Sequence, residues 1–294
     1  MSKKTLFTGS GVALVTPFNE SGVDFDALGK LIDFQIEHKT DAIIICGTTG
    51  EASTMPDAEH IETIRYTVER TAGRVPVIAG TGSNDTAHGV QLAKKAQQAG
   101  ADGLLLVTPY YNKTTQRGLI QHYSAIAAGV DLPIILYNVP SRTGLGIDVQ
   151  TVKTLSANEQ FIGVKDATGN ISYTAQLAAA CPDVDIYSGN DDMILPVMSL
   201  GGKGVISVLA NVMPEETHDM CEKYTNGDLA GALKLQLDLL DLIGALFCEV
   251  NPIPAKTALN LMGFNAGKLR LPLYEMSDAN LETLKKALKA HGLI

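Results

Sequence analysis

The chain has 294 residues, of which 45% are hydrophobic and 19% are charged, and it contains no tryptophan. This balance is that of an ordinary globular protein, and the length suffices for one barrel-sized domain or for two medium ones. The formal net charge of -9 repels a phosphate backbone, and no cluster of Lys or Arg offsets it, which excludes a nucleic-acid binder.

Neither the cysteines nor the apolar runs indicate secretion or a membrane. The four cysteines are far apart and form no Cys-x-x-Cys pair, so we expect neither a disulfide framework nor a zinc knuckle. No long apolar run follows Lys3 and Lys4 as it would in a signal peptide, and no run reaches membrane-spanning length. We therefore expect a cytoplasmic enzyme.

Short apolar runs rich in Val, Ile and Leu recur about every 30 residues, a spacing typical of repeated strand-plus-helix units. Each run is continuously hydrophobic rather than alternating, as in parallel strands that are buried on both faces. The eight predicted strands are 12–16, 41–46, 75–79, 103–107, 133–137, 161–165, 184–187 and 204–208.

Amphipathic stretches between these strands predict helices, and several of them begin at residues that favour helix starts. The clearest are 25–37, 56–71, 86–98 and 115–127. Eight β-α units in a chain of this length predict an α/β protein with a closed (β/α)8 TIM barrel. A doubly wound sheet is disfavoured, because Thr16-Pro17-Phe18 follows the first predicted strand instead of a glycine loop.

More helix follows the eighth predicted strand than closure of a barrel needs. The pattern predicts helices around 214–225, 229–247 and 254–262, and again after Ser277. We therefore predict that residues 1–213 supply the barrel strands and most barrel helices. Residues 214–294 would complete the barrel and form an appended helical layer, which could serve oligomerisation.

Lys165 is the most distinctive polar residue among the predicted strand ends, where barrel enzymes carry their active sites. It follows the apolar run 161–164 without a break, so we expect its amine in a low-dielectric interior, which penalises the charged form. A neutral lysine amine attacks ketones, and the resulting iminium withdraws electrons from the adjacent carbon. The alternative is a strand-end lysine that bends toward solvent.

Three further features have both a functional and a structural interpretation. Tyr137 ends the neighbouring strand and could shuttle protons, or it is a core residue with a hydrated tip. The turn around Thr48 and Thr49 offers hydroxyl and N–H groups to a carboxylate, or it is an ordinary turn. Arg142 could bind a second carboxylate in a bidentate manner, or it extends into solvent without a ligand.

No metal or nucleotide cofactor is predicted. The histidines show no zinc-ligand spacing, and Asp191-Asp192 is interpreted as a helix N-terminus. Gly80-Thr81-Gly82 lacks the third glycine of a dinucleotide site, and no GxxxxGK[ST] run is present. The loops after the seventh and eighth predicted strands lack a glycine-rich phosphate cradle, which favours an unphosphorylated substrate.

Five segments, in this order, together resemble the dihydrodipicolinate synthase and N-acetylneuraminate lyase family, and the resemblance extends to 251–254. The five segments are 47–51, 108–112, 137–144, 164–170 and 204–208. Arg142 and the paired tyrosines Tyr110-Tyr111 are similar to one branch of that family. The resemblance to this branch implies condensation of pyruvate with aspartate semialdehyde to 4-hydroxytetrahydrodipicolinate, the first committed step toward diaminopimelate and lysine.

The resemblance also implies the residues of the proton chemistry. Lys165 is the Schiff-base lysine, and Tyr137 donates and accepts protons. Thr48 and Tyr111 complete a proton relay, with Tyr111 contributed by a neighbouring subunit. That contribution requires a homo-oligomer, and the family's usual state is a tetramer built as a dimer of dimers. No cofactor is implied beyond the imine itself.

The same resemblance implies the substrate contacts. Thr49 and the backbone around Gly189 and Ile206 hold pyruvate, and Arg142 binds the carboxylate of the aldehyde substrate. One region departs from the family pattern, because lysine-inhibited members carry an acidic side chain where His88 stands and a histidine where Asp57 stands. A lysine amine would lose its carboxylate partner, so we expect weak or absent feedback by lysine.

Two other functions are compatible with such a barrel. A sibling pyruvate lyase would cleave a sialic or sugar acid, and it would not need Arg142 for an aldehyde substrate. A non-catalytic sensor of lysine or of a keto acid would not need the full set of catalytic residues.

Overall fold

The structure is a computed structural model that describes residues 5–294, and its centre is a closed barrel of eight parallel strands. Each strand pairs with the next one along the chain, and the eighth returns to pair with the first. The strands are β1 (Gly9–Ala13), β2 (Ala42–Ile45), β3 (Val77–Gly80), β4 (Gly103–Val107), β5 (Ile134–Asn138), β6 (Phe161–Asp166), β7 (Asp185–Ser188) and β8 (Gly204–Ser207). The predicted (β/α)8 barrel is confirmed.

Helices connect the strands on the outside of the barrel and continue after β8. They are α1 (Phe25–Glu37), α2 (Asp57–Thr71), α3 (Thr86–Gln98), α4 (Gln116–Ala127), α5 (Pro140–Thr143), α6 (Val149–Leu155), α7 (Ile171–Ala180), α8 (Ile194–Ser199), α9 (Pro214–Thr225), α10 (Leu229–Asp238), α11 (Leu240–Leu246), α12 (Ile253–Leu261) and α13 (Asp278–Ala290). Side chains cap the N-termini of several of them, including Asp24 at α1, Asp85 at α3, Thr115 at α4 and Asn170 at α7.

The barrel core has two layers because each strand presents alternate residues to its two faces. The inner layer fills the barrel with side chains such as Ile44, Ile78 and Leu105, and Phe7 stacks on Tyr187 with ring centroids 4.4 Å apart. The outer layer lies between strands and helices and extends without interruption into the C-terminal helices, where Leu242 and Leu284 are fully buried.

The first strand lies three residues before its predicted position, at Gly9–Ala13 instead of 12–16. The ladder continues for one residue beyond β1, where the Leu14 N–H donates to the Ile44 oxygen at 3.0 Å. It ends at Val15, whose N–H donates to the Asn211 side chain, 3.1 Å away. The strand begins with Gly9-Ser10-Gly11, which propensity disfavours in a strand. Close packing requires these glycines, since a Cβ on Gly11 would lie 2.7 Å from the Ile44 side chain and 2.8 Å from the Phe7 ring.

The C-terminal helices differ from prediction at one point. The single helix expected over 229–247 is broken at Leu239, where α10 ends and α11 begins, and no Gly or Pro marks the break in the sequence. The division of the chain at residue 213 stays a prediction. Residues 1–4 belong to the predicted range 1–213 and include the two lysines considered for a signal peptide, and they lie outside the described residues. Between residues 5 and 294, none of the helices is both long and apolar enough to cross a membrane.

Candidate active site

A cavity of about 360 Å³ opens at the C-terminal ends of β2 to β5. Thr48, Tyr137 and Arg142 line it, and they come from the turn after β2, from β5 and from α5. Each follows or ends a strand of the barrel, so the closed parallel topology brings together side chains that are far apart in the sequence. The structure therefore places three of the predicted site residues at one cavity.

Lys165 stands next to this cavity, behind the ring of Tyr137. It is in register with Tyr137 on β5 and with Tyr187 on β7, and it is only 5% exposed. Its Nζ lies 4.3 Å from the centroid of the Tyr137 ring. Within residues 5–294 no hydrogen bond or salt bridge engages this Nζ, so the amine is not held by a carboxylate. The bent, solvent-facing alternative for Lys165 is wrong, because the side chain is buried.

The turn after β2 is tied to a residue near the C-terminus. Thr49 is buried, and its Oγ1 accepts a hydrogen bond of 3.0 Å from Nδ2 of Asn251. Arg142 donates from a guanidinium nitrogen to the backbone oxygen of the same Asn251, at 3.1 Å. Asn251 thus joins two predicted substrate-binding residues. The sequence indicated it only as part of a family motif, with no role attached.

The structure does not bring all predicted site residues into the cavity. Tyr111 is 92% exposed and has a positive φ of 70°, an uncommon conformation for a residue with a Cβ. Ile206 is buried in the inner layer of the barrel, and the Gly189 N–H donates to the Asp166 oxygen at 2.7 Å. Both stand near strand ends, β8 and β7, but outside the lining of the cavity.

Asp191 follows β7 and is buried, and the sequence indicated it only as part of a helix N-terminus. A 3-10 helix begins at Asp191 and continues directly into α8, as expected of a helix N-terminus, and Oδ2 of Asp191 accepts from the N–H groups of Val208 and Leu209 at 3.0 and 2.9 Å. Burial raises the pKa of this carboxyl, and hydrogen bonds from the Ser207 hydroxyl and from the N–H groups of Leu209 and Val208 oppose the rise. The carboxyl therefore fixes the turn that follows β8.

The outer part of the cavity contains a histidine–carboxylate pair. Nε2 of His88 lies 2.8 Å from Oδ1 of Asp57, and its Nδ1 lies 3.1 Å from the hydroxyl of Ser83. The hydrogen bond from His88 holds the pKa of Asp57 below its usual range. His60 lies deeper, 2.9 Å from the Gly80 oxygen, and burial lowers its pKa. The cavity thus has the carboxylate of Asp57 on α2, whereas His88 stands at the facing position on α3.

The other notable histidine cluster lies at the opposite end of the barrel. On α9, ligand atoms of His218, Asp219 and Glu222 lie within 4.8 Å of one another. Nδ1 of His218 contacts Asp41, which precedes β2 and therefore marks the N-terminal face of the strands. This group has no part in the cavity, and its partly exposed acidic side chains are ordinary surface groups.

The chain is similar to known proteins over nearly its whole length. A family model described as the Dihydrodipicolinate synthetase family matches residues 6–291. A 4-hydroxy-tetrahydrodipicolinate synthase of Caldicellulosiruptor saccharolyticus is 62% identical over 98% of both chains, and that of Acetivibrio thermocellus is 56% identical over 99% of this chain and 100% of the relative.

Solved structures give the same result. The dihydrodipicolinate synthase of Aquifex aeolicus superimposes with a TM-score of 0.96 at 46% identity, covering 98% of this chain and 99% of that one. A structure described as the first monomeric dihydrodipicolinate synthase variant has a TM-score of 0.95 at 41% identity and covers 98% of both chains.

Proposed function

Because the chain belongs to the dihydrodipicolinate synthetase family, we propose that it forms an imine between Lys165 and pyruvate, next to Tyr137 and Thr48. The enzyme is a lyase that condenses pyruvate with aspartate semialdehyde to 4-hydroxytetrahydrodipicolinate, in the biosynthesis of diaminopimelate and lysine. The synthase names of relatives at 56–62% identity disfavour the sugar-acid lyase alternative. The observation that carries the proposal is the buried Lys165 amine, 4.3 Å from the ring of Tyr137.

The first half of the reaction needs a neutral amine and a proton shuttle. Lys165 Nζ attacks the keto carbon of pyruvate, and the keto oxygen leaves as water after it has accepted two protons. The imine then loses a methyl proton and becomes an enamine. Tyr137 and Tyr187 are both in register with Lys165, but the Tyr187 hydroxyl donates to the Phe7 oxygen, whereas Tyr137 lines the cavity. The proton transfers are therefore assigned to Tyr137, with Thr48, which also lines the cavity, as its partner.

The second half forms the carbon-carbon bond and releases the lysine. The enamine carbon attacks the aldehyde carbon, whose oxygen takes a proton, and the amino group of the semialdehyde then displaces Lys165 and closes the ring. Arg142 stands at the rim of the cavity with part of its guanidinium engaged by Asn251, and its remaining N–H groups are assigned to the substrate carboxylate. Thr49 and the backbone around Gly189 and Ile206 are assigned to the carboxylate of pyruvate. Members of this family need no added cofactor.

Borohydride reduction in the presence of pyruvate tests the imine. We expect a mass increase on the peptide that contains Lys165, and none in the Lys165→Arg variant, which cannot form the adduct. Lys113→Arg is the matched control, because Lys113 is an exposed lysine near the rim and should leave the labelling unchanged. Labelling of another lysine, or none in the unmodified chain, would contradict the proposal.

We also propose that the active enzyme is a homo-oligomer, of which a tetramer is the expected form. Within one chain the cavity has two of the three assigned relay hydroxyls, whereas the third belongs to Tyr111, which does not line the cavity and is exposed to solvent. Tyr111, which is 92% exposed in one chain, would complete the proton relay if its side chain entered the active site of a second copy of the chain. The printed description of one structural relative as a monomeric variant agrees with an oligomeric family.

The proposed location is the cytoplasm. Cys46, Cys221 and Cys248 are free thiols, and burial raises the pKa of the Cys46 and Cys221 thiols, which keeps them protonated and unreactive. Thiols that stay reduced are typical of a reducing compartment.

A further inference from the structure

A buried ion pair joins the turn after β2 to helix α12, and the reaction described above does not use it. Nζ of Lys256 lies 2.7 Å from Oε1 of Glu51, and each side chain is 1% exposed. Removing two charges from water is costly, and a hydrophobic pair of similar volume often serves stability equally well. The pair therefore calls for an explanation other than stability alone.

Both members of the pair have a further hydrogen-bond partner. Lys256 Nζ also donates to the backbone oxygen of Lys268 at 2.8 Å, and Oε2 of Glu51 accepts from the backbone N–H of Arg270 at 2.9 Å. The ring of Phe18 contacts both cations, with its centroid 4.3 Å from Lys256 Nζ and 3.8 Å from Arg270 Cζ. The network holds the carboxylate of Glu51 at a defined position.

That position determines the conformation of the turn that carries Thr48 and Thr49. Glu51 has a positive φ of 55°, in the left-handed region that a residue with a Cβ adopts only when its surroundings impose it. Its N–H donates to the Thr48 oxygen at 3.1 Å, which closes the turn. The ion pair supplies the constraint from outside the barrel, while Asn251 holds Thr49 from the same C-terminal segment.

We propose that Glu51 and Lys256 are positioning residues, which hold the Thr48-Thr49 turn in register with Tyr137 and Lys165 for proton transfer. This inference rests on the role assigned to Thr48 above. Neither residue touches the substrate. Instead, a chain segment that follows the barrel sets the geometry of the relay, and small displacements of such a group reduce turnover strongly.

The test uses the full-length enzyme and three variants. Lys256→Met removes the cation. Glu51→Gln removes the negative charge and keeps the shape, and its amide nitrogen can no longer accept one of the two hydrogen bonds that the carboxylate accepts from Lys256 and Arg270. The matched control is Glu59→Gln, which weakens the ion pair between Arg270 and α2 but leaves Glu51 paired with Lys256. Circular dichroism establishes the temperature range in which each variant is folded, and Glu51→Gln serves if Lys256→Met does not fold.

We expect kcat to fall about tenfold or more in Lys256→Met and Glu51→Gln, with KM for pyruvate changed by less than about twofold. Lys256→Arg should recover part of the lost kcat, and Glu59→Gln should keep full kcat even if its melting temperature falls. Unchanged kcat in the folded variants would overturn the inference, and so would an equal loss of kcat in Glu59→Gln.

Borohydride trapping separates this inference from the proposed function. If the variants still label Lys165 with pyruvate but turn over slowly, the imine site is intact and the relay is displaced. If the unmodified enzyme does not label Lys165, the proposed function fails regardless of Glu51 and Lys256. A fully active Thr48→Val variant would overturn the role of Thr48 and with it this inference.

Discussion

Lys165 and Asp166 are consecutive residues that serve opposite faces of β6. Lys165 points into the barrel against Tyr137, whereas Asp166 accepts a hydrogen bond of 2.6 Å from the Thr174 hydroxyl on α7, outside it. The other oxygen of Asp166 accepts from the N–H and hydroxyl of Thr168, at 3.0 and 2.7 Å. The alternation of a strand thus separates the reacting amine from the carboxylate that fixes the strand end.

At the same scale, the Asp57–His88 pair bears on feedback by lysine. Asp57 is already engaged by His88 and lies 3.8 Å from the amine of Lys95, so its charge is compensated before any cationic ligand enters. We therefore expect lysine to inhibit weakly or not at all, measured as initial rates over a lysine titration. In an Asp57→His, His88→Glu double variant, inhibition should become stronger. Inhibition of the unmodified enzyme by submillimolar lysine would contradict this expectation.

At the scale of elements, the seam between β1 and β8 depends on two glycines. Gly204 has a φ of 143°, and a Cβ on it would lie 1.9 Å from the Gly9 oxygen. Gly204→Ala should therefore lower the free energy of unfolding by at least about 2 kcal/mol. Gly244→Ala is the control, because a Cβ there meets no atom within 4 Å and alanine favours the helix. Equal denaturation midpoints for the two variants would contradict this account.

The docking of α9 onto the barrel should depend on pH. The hydrogen bond with Asp41 raises the pKa of His218 above its ordinary value of 6.5, against the opposing effect of burial. A raised folded-state pKa contributes stability that is fully present below 6.5 and is lost as the pH rises through the folded-state value.

Melting temperatures of the unmodified chain and of His218→Asn, measured from about pH 6 to pH 9, check this contribution. The advantage of the unmodified chain over the variant should shrink as the pH rises. A constant difference across the range would show that the charge of His218 is not involved.

At the scale of the whole molecule, the exposed Tyr111 predicts complementation between inactive subunits. Lys165→Arg and Tyr111→Phe should each be inactive alone. If they are mixed and allowed to exchange subunits, half of the dimers are hybrids, and each hybrid has one site with both native residues. Activity should recover to about a quarter of the native value. No recovery, despite exchange confirmed by native mass spectrometry, would exclude a shared site.

The sequence predicted the strand-end part of the site well and the long-range contacts poorly. In a parallel barrel every strand ends at the same face, so locating the strands located Lys165, Tyr137 and the turn at Thr48. The partners of that turn come from the C-terminal segment, since Thr49 and Asn251 are 202 residues apart and Glu51 and Lys256 are 205 apart. No local pattern connects such positions. A lysine in an amphipathic helix ordinarily indicates a solvated face, whereas Lys256 is buried.

Closure of the barrel also bears on how the chain folds during its synthesis. The first strand acquires its second neighbouring strand only when β8 has been synthesised, because Gly9 pairs with Gly204. The turn after β2 is fixed only when Arg270 has been added, because the Arg270 N–H donates to the Glu51 carboxylate. Contacts of such high sequence separation slow folding, and an unpaired strand edge is open to association with other chains meanwhile. The nascent chain on the ribosome therefore carries an unfinished sheet until Ser207 has been translated. The turn after β2 is fixed later still, once Arg270 has followed, so the active site is among the last parts to form.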